Sequence, residues 1–206
     1  MTNMIDPIHF EDLAKLDPQA VCRRAGCAYG PCTGSPGRDP AQVGYTLSVW
    51  GDDYCVAPHA GTIEKLSPLP TRDHGYLSLF LLHYLLGAEQ IALDGLWISE
   101  KEIPGGATFF RGPHAVPTQL ITARFANDLD AFGQRCEQLH GTRLEMADVA
   151  YRFDITARVP VALLYWCGDE DFPAEAKLLF DKNIGRFLAA DVVFALAVGV
   201  CERLSQ

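Results

Sequence analysis

Seven cysteines and a run of three consecutive acids are the residues here with most capacity for chemistry. Cys22, Cys27 and Cys32 follow a C-x4-C-x4-C spacing, and Cys55 lies on a later predicted strand. Thiolates that converge can hold zinc or an iron–sulfur cluster, although this spacing departs from the usual C-x2-C pairs and cluster runs. Cys22, Cys27, Cys32 and Cys55 are therefore the candidate metal ligands, and a metal would order the Gly- and Pro-rich stretch from 26 to 40. The competing reading makes Cys22 and Cys55 small buried apolar side chains, with Cys27 and Cys32 exposed or paired. Cys136, Cys167 and Cys201 fall within apolar periodic segments, which predicts core packing for them.

The acids Asp169, Glu170 and Asp171 follow a predicted buried strand and precede a helix predicted to begin near Pro173. A helix dipole accounts for one or two of them, at about 0.3–1 kcal/mol each. The third carboxylate adds repulsion and asks for a cation. A second cluster, Glu100, Lys101 and Glu102, stands beside Trp97 and leads through Pro104-Gly105-Gly106 into Phe109-Phe110-Arg111.

If the two clusters meet, they form a small-molecule site, although aromatics and charges at strand ends also occur on plain sheet edges. In that site Trp97, Phe110 and Trp166 would supply flat apolar surface, and Arg111 would pair an anionic group. Glu102, Glu170 and Asp171 would orient the ligand or hold a cation. The leading expectation is thus a binding protein for a small ligand or metal-containing cofactor. One alternative is an enzyme using Glu102 with Glu170 or Asp171 as acid and base. Another is an interaction protein whose cysteine-bearing loop binds a cluster or partner. Iron–sulfur, zinc and tetrapyrrole cofactors all stay open.

The six histidines form neither H-E-x-x-H nor C-x-x-C-H. His83, inside LFLLHYLL, predicts a hydrogen-bonded core histidine. Phosphate-binding, dinucleotide and nucleophile-elbow signatures are absent from the sequence.

Positioning these groups falls to a chain of 206 residues with 49% hydrophobic content, enough for one core and one domain, 1–206. Lys+Arg 17 against Asp+Glu 26 leaves a formal charge of −9, which opposes nucleic acid and anionic lipid as partners. No apolar run approaches the roughly 18 residues of a membrane span. Acids at Asp6, Glu11 and Asp12 stand where a secretory signal carries positive charge, so a cytoplasmic location is expected.

Apolar spacing predicts two short helices between Phe10 and Arg24, the second opened by Pro18. Alternation predicts strands at Val43 to Val49, Tyr54 to Val56 and about Thr62 to Leu66. GYLSLFLLHYLLGA predicts a central buried helix, and Gly95 to Arg111 predicts strand, turn and a further strand or extended loop. One helix, or two broken near Asn127-Asp128, is expected from Pro117 to His140 with Gly141 as cap. Two adjacent antiparallel strands follow, Tyr151 to Ala157 and Val159 to Trp166. Two C-terminal helices close the chain, PAEAKLLFDKNIGRFL and DVVFALAVGVCERL, the latter with Asp191 at its N-cap. The class is α+β. Val192 to Val200 offers either a dimer face or a closing core element, so the oligomeric state stays open.

Four blocks give the chain a family resemblance: LSLFLLHYLLGA, LWISEKEIPGGATFF, GDEDFPAEAKLLFD and the closing helix. They resemble the domain of unknown function 3786 of anaerobic bacteria and archaea, from Phe10 onward. Some relatives carry an added iron–sulfur domain like that of corrinoid proteins, which implies a setting in anaerobic one-carbon or metal-cofactor metabolism. Cys22, Cys27, Cys32 and Cys55 do not reproduce that domain's spacing, and the chain has Glu100-Lys101 where the family pattern reads Phe-Arg.

Overall fold

The computed structural model describes residues 5–32, 42–66 and 75–206. The segment from 33 to 40 of the Gly/Pro-rich loop and the stretch SPLPTRD lie outside them.

Two short helices open the chain, α1 (Pro7–Ala14) and α2 (Pro18–Ala25). Each begins on Asp-Pro: Asp6 accepts from the Ile8 amide, Asp17 from the amides of Gln19 and Ala20, and the proline fills a position where no amide is needed.

The first sheet is an antiparallel meander in the order β1 (Ala28–Pro31), β2 (Val43–Val49), β3 (Asp52–Ala57), β4 (Thr62–Lys65). Strand β1 arises inside the region read as a loop, and registers against β2 from Ala28↔Thr46 to Pro31↔Val43. The β2–β3 turn places Trp50 at φ 51 and Gly51 at φ 79, the two positive angles a two-residue hairpin requires. A tryptophan at such an angle is strained, and its neighbours hold it there. Its amide donates to Ile155 O at 2.8 Å, its indole donates to Leu139 O at 2.8 Å, and its ring packs on Phe153.

Helix α3 (Gly75–Gly87) buries Phe80, Leu81, Leu82, Tyr84 and Leu85. Each such side chain contributes about 1.5–3 kcal/mol by leaving water, which explains a helix without a polar stripe at the centre of the core.

In the segment read as strand, turn and a further strand or extended loop, the first strand is β5 (Trp97–Ile98) and a 3-10 turn follows at Glu100–Glu102, but the third piece is the one-turn helix α4 (Gly106–Phe109). Ser99 and Glu102 form a reciprocal capping box that coils the chain before it can extend. The predicted break near Asn127-Asp128 separates α5 (Gln119–Phe125) from α6 (Leu129–Gln138), and Asp128 caps α6 through the Ala131 amide. His140, at φ 59, takes the left-handed position after α6, while the Gly141 amide closes onto Cys136 O.

The second sheet is also antiparallel, ordered β5, β9 (Glu175–Asp181), β8 (Val159–Trp166), β7 (Val149–Thr156), β6 (Thr142–Leu144). Here the first of the two expected C-terminal helices is a strand. Ala176, Leu178 and Phe180 alternate inward, and β8 offers its edge from Val161↔Phe180 to Trp166↔Glu175. A 3-10 turn at Lys182–Arg186 leads to α7 (Ala190–Ser205), which packs along α3. Ala189 takes the N-cap position, and Asp191 sits in the first turn. One continuous core joins both sheets through α3, α6 and α7, while Ala150, Ala162, Leu164 and Leu179 make a smaller cluster on the other side of the second sheet. Within the described residues no helix is long and apolar enough to cross a membrane.

Candidate functional site

The expected ligand residues divide between the two sides of the second sheet. Trp97 and Trp166 are half-buried and pack on the same smaller cluster, one from β5 and one from the end of β8. Glu102 is exposed, and its carboxylate accepts from Ser99 N and Ser99 Oγ at 2.8 Å each. Those bonds, the backbone one foremost, hold its pKa below the usual carboxylate range. Phe110 is buried in the main core, against Phe109 and Phe194, and Arg111 is exposed.

Glu170 and Asp171 are exposed in the β8–β9 turn. No helix follows them, so the dipole account of the acidic run does not hold. Asp169 organises that turn instead: it accepts from the amides of Asp171 and Phe172, which hold its pKa low. Asn127 pins the same turn through reciprocal 2.8 Å bonds with the Gly168 amide and carbonyl. Acid and base work by Glu102 with Glu170 or Asp171 would start from exposed carboxyls on separate elements.

The cysteines form two pairs. Cys32 and Cys55 are joined as a disulfide, with Cα atoms 5.9 Å apart, in a small cluster with Ala57 and Leu66. Cys22 and Cys27 pack instead against the main core, their sulfurs 3.8 Å apart. Burial first, then the neighbouring Cys22, push the Cys27 thiol up to about 12. A metal needs thiolates, and disulfide sulfurs are not thiolates. The four cysteines therefore do not present one ligand set, and no group of three or more His, Cys, Asp or Glu suited to a metal occurs among the described residues. Cys136 and Cys201 are buried and Cys167 is half-buried.

A polar cleft of about 410 Å³ lies elsewhere, between α6 and the strands β6 and β7. Leu129, Asp130, Gly133, Gln134 and Glu137 line it from one face of α6, while Arg143, Asp148, Val149 and Tyr151 line it from the sheet. Arg143 and Tyr151 are register partners, so their side chains leave the same face. Tyr151 and Val149 are the buried floor, and Asp130, Gln134, Glu137, Arg143 and Asp148 are the exposed rim. A Cβ at Gly133 would lie 3.2 Å from the Tyr151 hydroxyl, so the glycine keeps room above the floor. That hydroxyl reaches Glu137 Oε1 at 3.4 Å, and burial raises its pKa, with Glu137 adding to the effect. Asp148 Oδ2 accepts from the Cys167 amide at 2.9 Å, which ties the cleft to the end of β8.

The rim thus carries three carboxylates and one guanidinium around a phenol. These residues escape a motif search because they are of common types on three elements. Their signal in the sequence is the polar stripe Asp130, Gln134 and Glu137 on a helix that also carries Gly133.

Fold and cleft together define an α+β protein of two antiparallel sheets on a shared helical core. The chain belongs to the Domain of unknown function (DUF3786) family, which matches residues 17–203. No curated protein and no solved structure matches it.

Proposed function

We propose that this chain is a binding protein for a small organic cation or zwitterion carrying an amine, held in the cleft between α6 and β6–β7. The observation that carries the reading is the rim itself: Asp130, Glu137 and Asp148 face Arg143 around one recess of about 410 Å³. That volume lies in the range of small-molecule sites. The rim's formal charge is −2 from three carboxylates and one guanidinium, which favours cations, and the chain's −9 reinforces the attraction. The carboxylates are not a metal-type cluster, so a ligand with a spread of donors fits better than a bare ion. Arg143 would take an anionic group, the carboxylates an ammonium, and the Tyr151 hydroxyl a polar atom between them.

Titration calorimetry with 1,4-diaminobutane and with lysine tests this. Saturable binding is expected, weakening as salt rises and falling about tenfold, or ~1.4 kcal/mol, in Glu137→Gln and in Asp148→Asn. Absence of binding by both probes, or affinity unchanged in both variants, overturns the reading.

A second reading places a flat ligand on the outer face of the second sheet. It is favoured by Trp97 and Trp166 packing over one apolar cluster. Trp97→Ala together with Trp166→Ala would abolish that binding and leave cleft binding intact.

A further inference from the structure

We propose that Cys22 and Cys27 form an oxidisable dithiol that closes to a second disulfide by exchange with a small-molecule disulfide. The pairing follows from how α2 ends. Gly26 takes the left-handed conformation at φ 68, and Cys22 O accepts from both the Gly26 amide at 2.9 Å and the Cys27 amide at 3.3 Å. This helix stop brings the side chain of the last turn against that of the second residue beyond it. In this chain both residues are cysteine, so C-x3-G-C is a sequence in which the helix cap itself sets two sulfurs side by side. They lie 3.8 Å apart, in van der Waals contact, and closure brings them in to about 2.0 Å.

The surroundings suit exchange. Both cysteines are half-buried, and Cys27 leads into β1, the edge strand of the first sheet. The Tyr29–Tyr45 ring pair packs beneath the edge, centroids 4.8 Å apart. Cys32–Cys55, at the far end of β1, shows that the same sheet accommodates a disulfide. Burial disfavours the thiolate at Cys27, so Cys22 is the sulfur that attacks first.

The Cys22 thiolate attacks one sulfur of RS–SR, the S–S bond breaks, and RS⁻ leaves. Cys27 then loses its proton to solvent and attacks Cys22 Sγ, releasing the second RS⁻. The protein is oxidised by two electrons, and the small disulfide is reduced to two RSH. Closure would staple the last turn of α2 to the start of β1.

The test uses the full chain in buffers of graded oxidised to reduced glutathione, followed by alkylation and tryptic mass mapping. Trypsin cuts at Arg23 and Arg24, between the two cysteines, so the bridge joins separate peptides. The proposal expects a Cys22–Cys27 cross-linked peptide that grows with the oxidised fraction, with two fewer alkylated thiols. It also expects Cys27→Ser to accumulate a glutathione adduct on Cys22. Free, alkylatable Cys22 and Cys27 in the wild-type chain at every ratio overturn it, as does either one linked instead to Cys32 or Cys55. The wild-type readout stands whether or not the variant folds.

Discussion

Arg203, near the end of α7, places Nη2 2.8 Å from Oδ2 of Asp52 at the start of β3, a residue 151 positions earlier. Lys65 Nζ lies 3.0 Å from the same oxygen, and the Arg203 guanidinium sits over the Trp50 ring at 5.0 Å. Asp52 is buried, so a negative charge is held out of water by two cations and fixes the C-terminal helix to the first sheet. Removing the carboxylate takes their shared partner from two half-buried cations. Asp52→Ala is expected to cost about 3–5 kcal/mol, read as a lowered denaturant midpoint.

Asp181, also buried, performs a different task. Its two oxygens accept from the amides of Asp94, Gly95 and Asn183, so the end of β9 holds the connection before β5. Asp181→Ala strands those donors. A loss of about 1–3 kcal/mol is expected, with faster amide exchange at Asp94 and Gly95 than in the core strands.

Among the described residues His83 has no hydrogen bond of the kind its setting suggests; it is half-buried and meets His9 edge-on, ring centroids 4.5 Å apart. Burial foremost, then the His9 charge, lower its pKa from 6.5, with Asp191 opposing. Below about pH 6.5 the unfolded chain binds the proton more readily than the folded one, so stability falls with falling pH through that window. His83→Gln should flatten this part of the pH–stability curve, measured by denaturation at intervals from pH 7.5 to about 5.

Gly105 and Gly106 are adjacent and needed for different reasons. Gly105 takes φ 77 with open space around it, so Gly105→Ala should cost only about 1 kcal/mol. At Gly106 a Cβ would meet Glu100 O at 2.0 Å, so Gly106→Ala must displace the Glu100–Glu102 turn. A loss of about 1–3 kcal/mol is expected, and a thermal melt of the two variants side by side measures the difference.

How much was legible depended on range. Asp17-Pro18 and Asn127-Asp128 act within a turn, and each marks a helix boundary where the residues predict it, whereas the first helix starts at Pro7, three residues before the predicted Phe10. The hairpin of β7 and β8 follows from alternation, since adjacent strands need only each other. Residues 175 to 181 carry a pattern that satisfies both a helix and a strand, and the free edge of β8 decides for the strand. Among the site residues, Trp97 and Trp166 do share a patch, but Phe110 turns into the core on the other side of the sheet.

The amino-acid order by itself determined the α+β class, the helix boundaries at Pro18 and Asp128, and the family, because each depends on local geometry or overall pattern. Tertiary structure alone decided the Asp52–Arg203 pair, the strain at Trp50 and the cleft of Asp130, Glu137, Arg143, Asp148 and Tyr151. Those features join residues with no regular spacing. The energy that selects them comes from burial and charge neutralisation between elements, which exist only once the sheets and helices have packed.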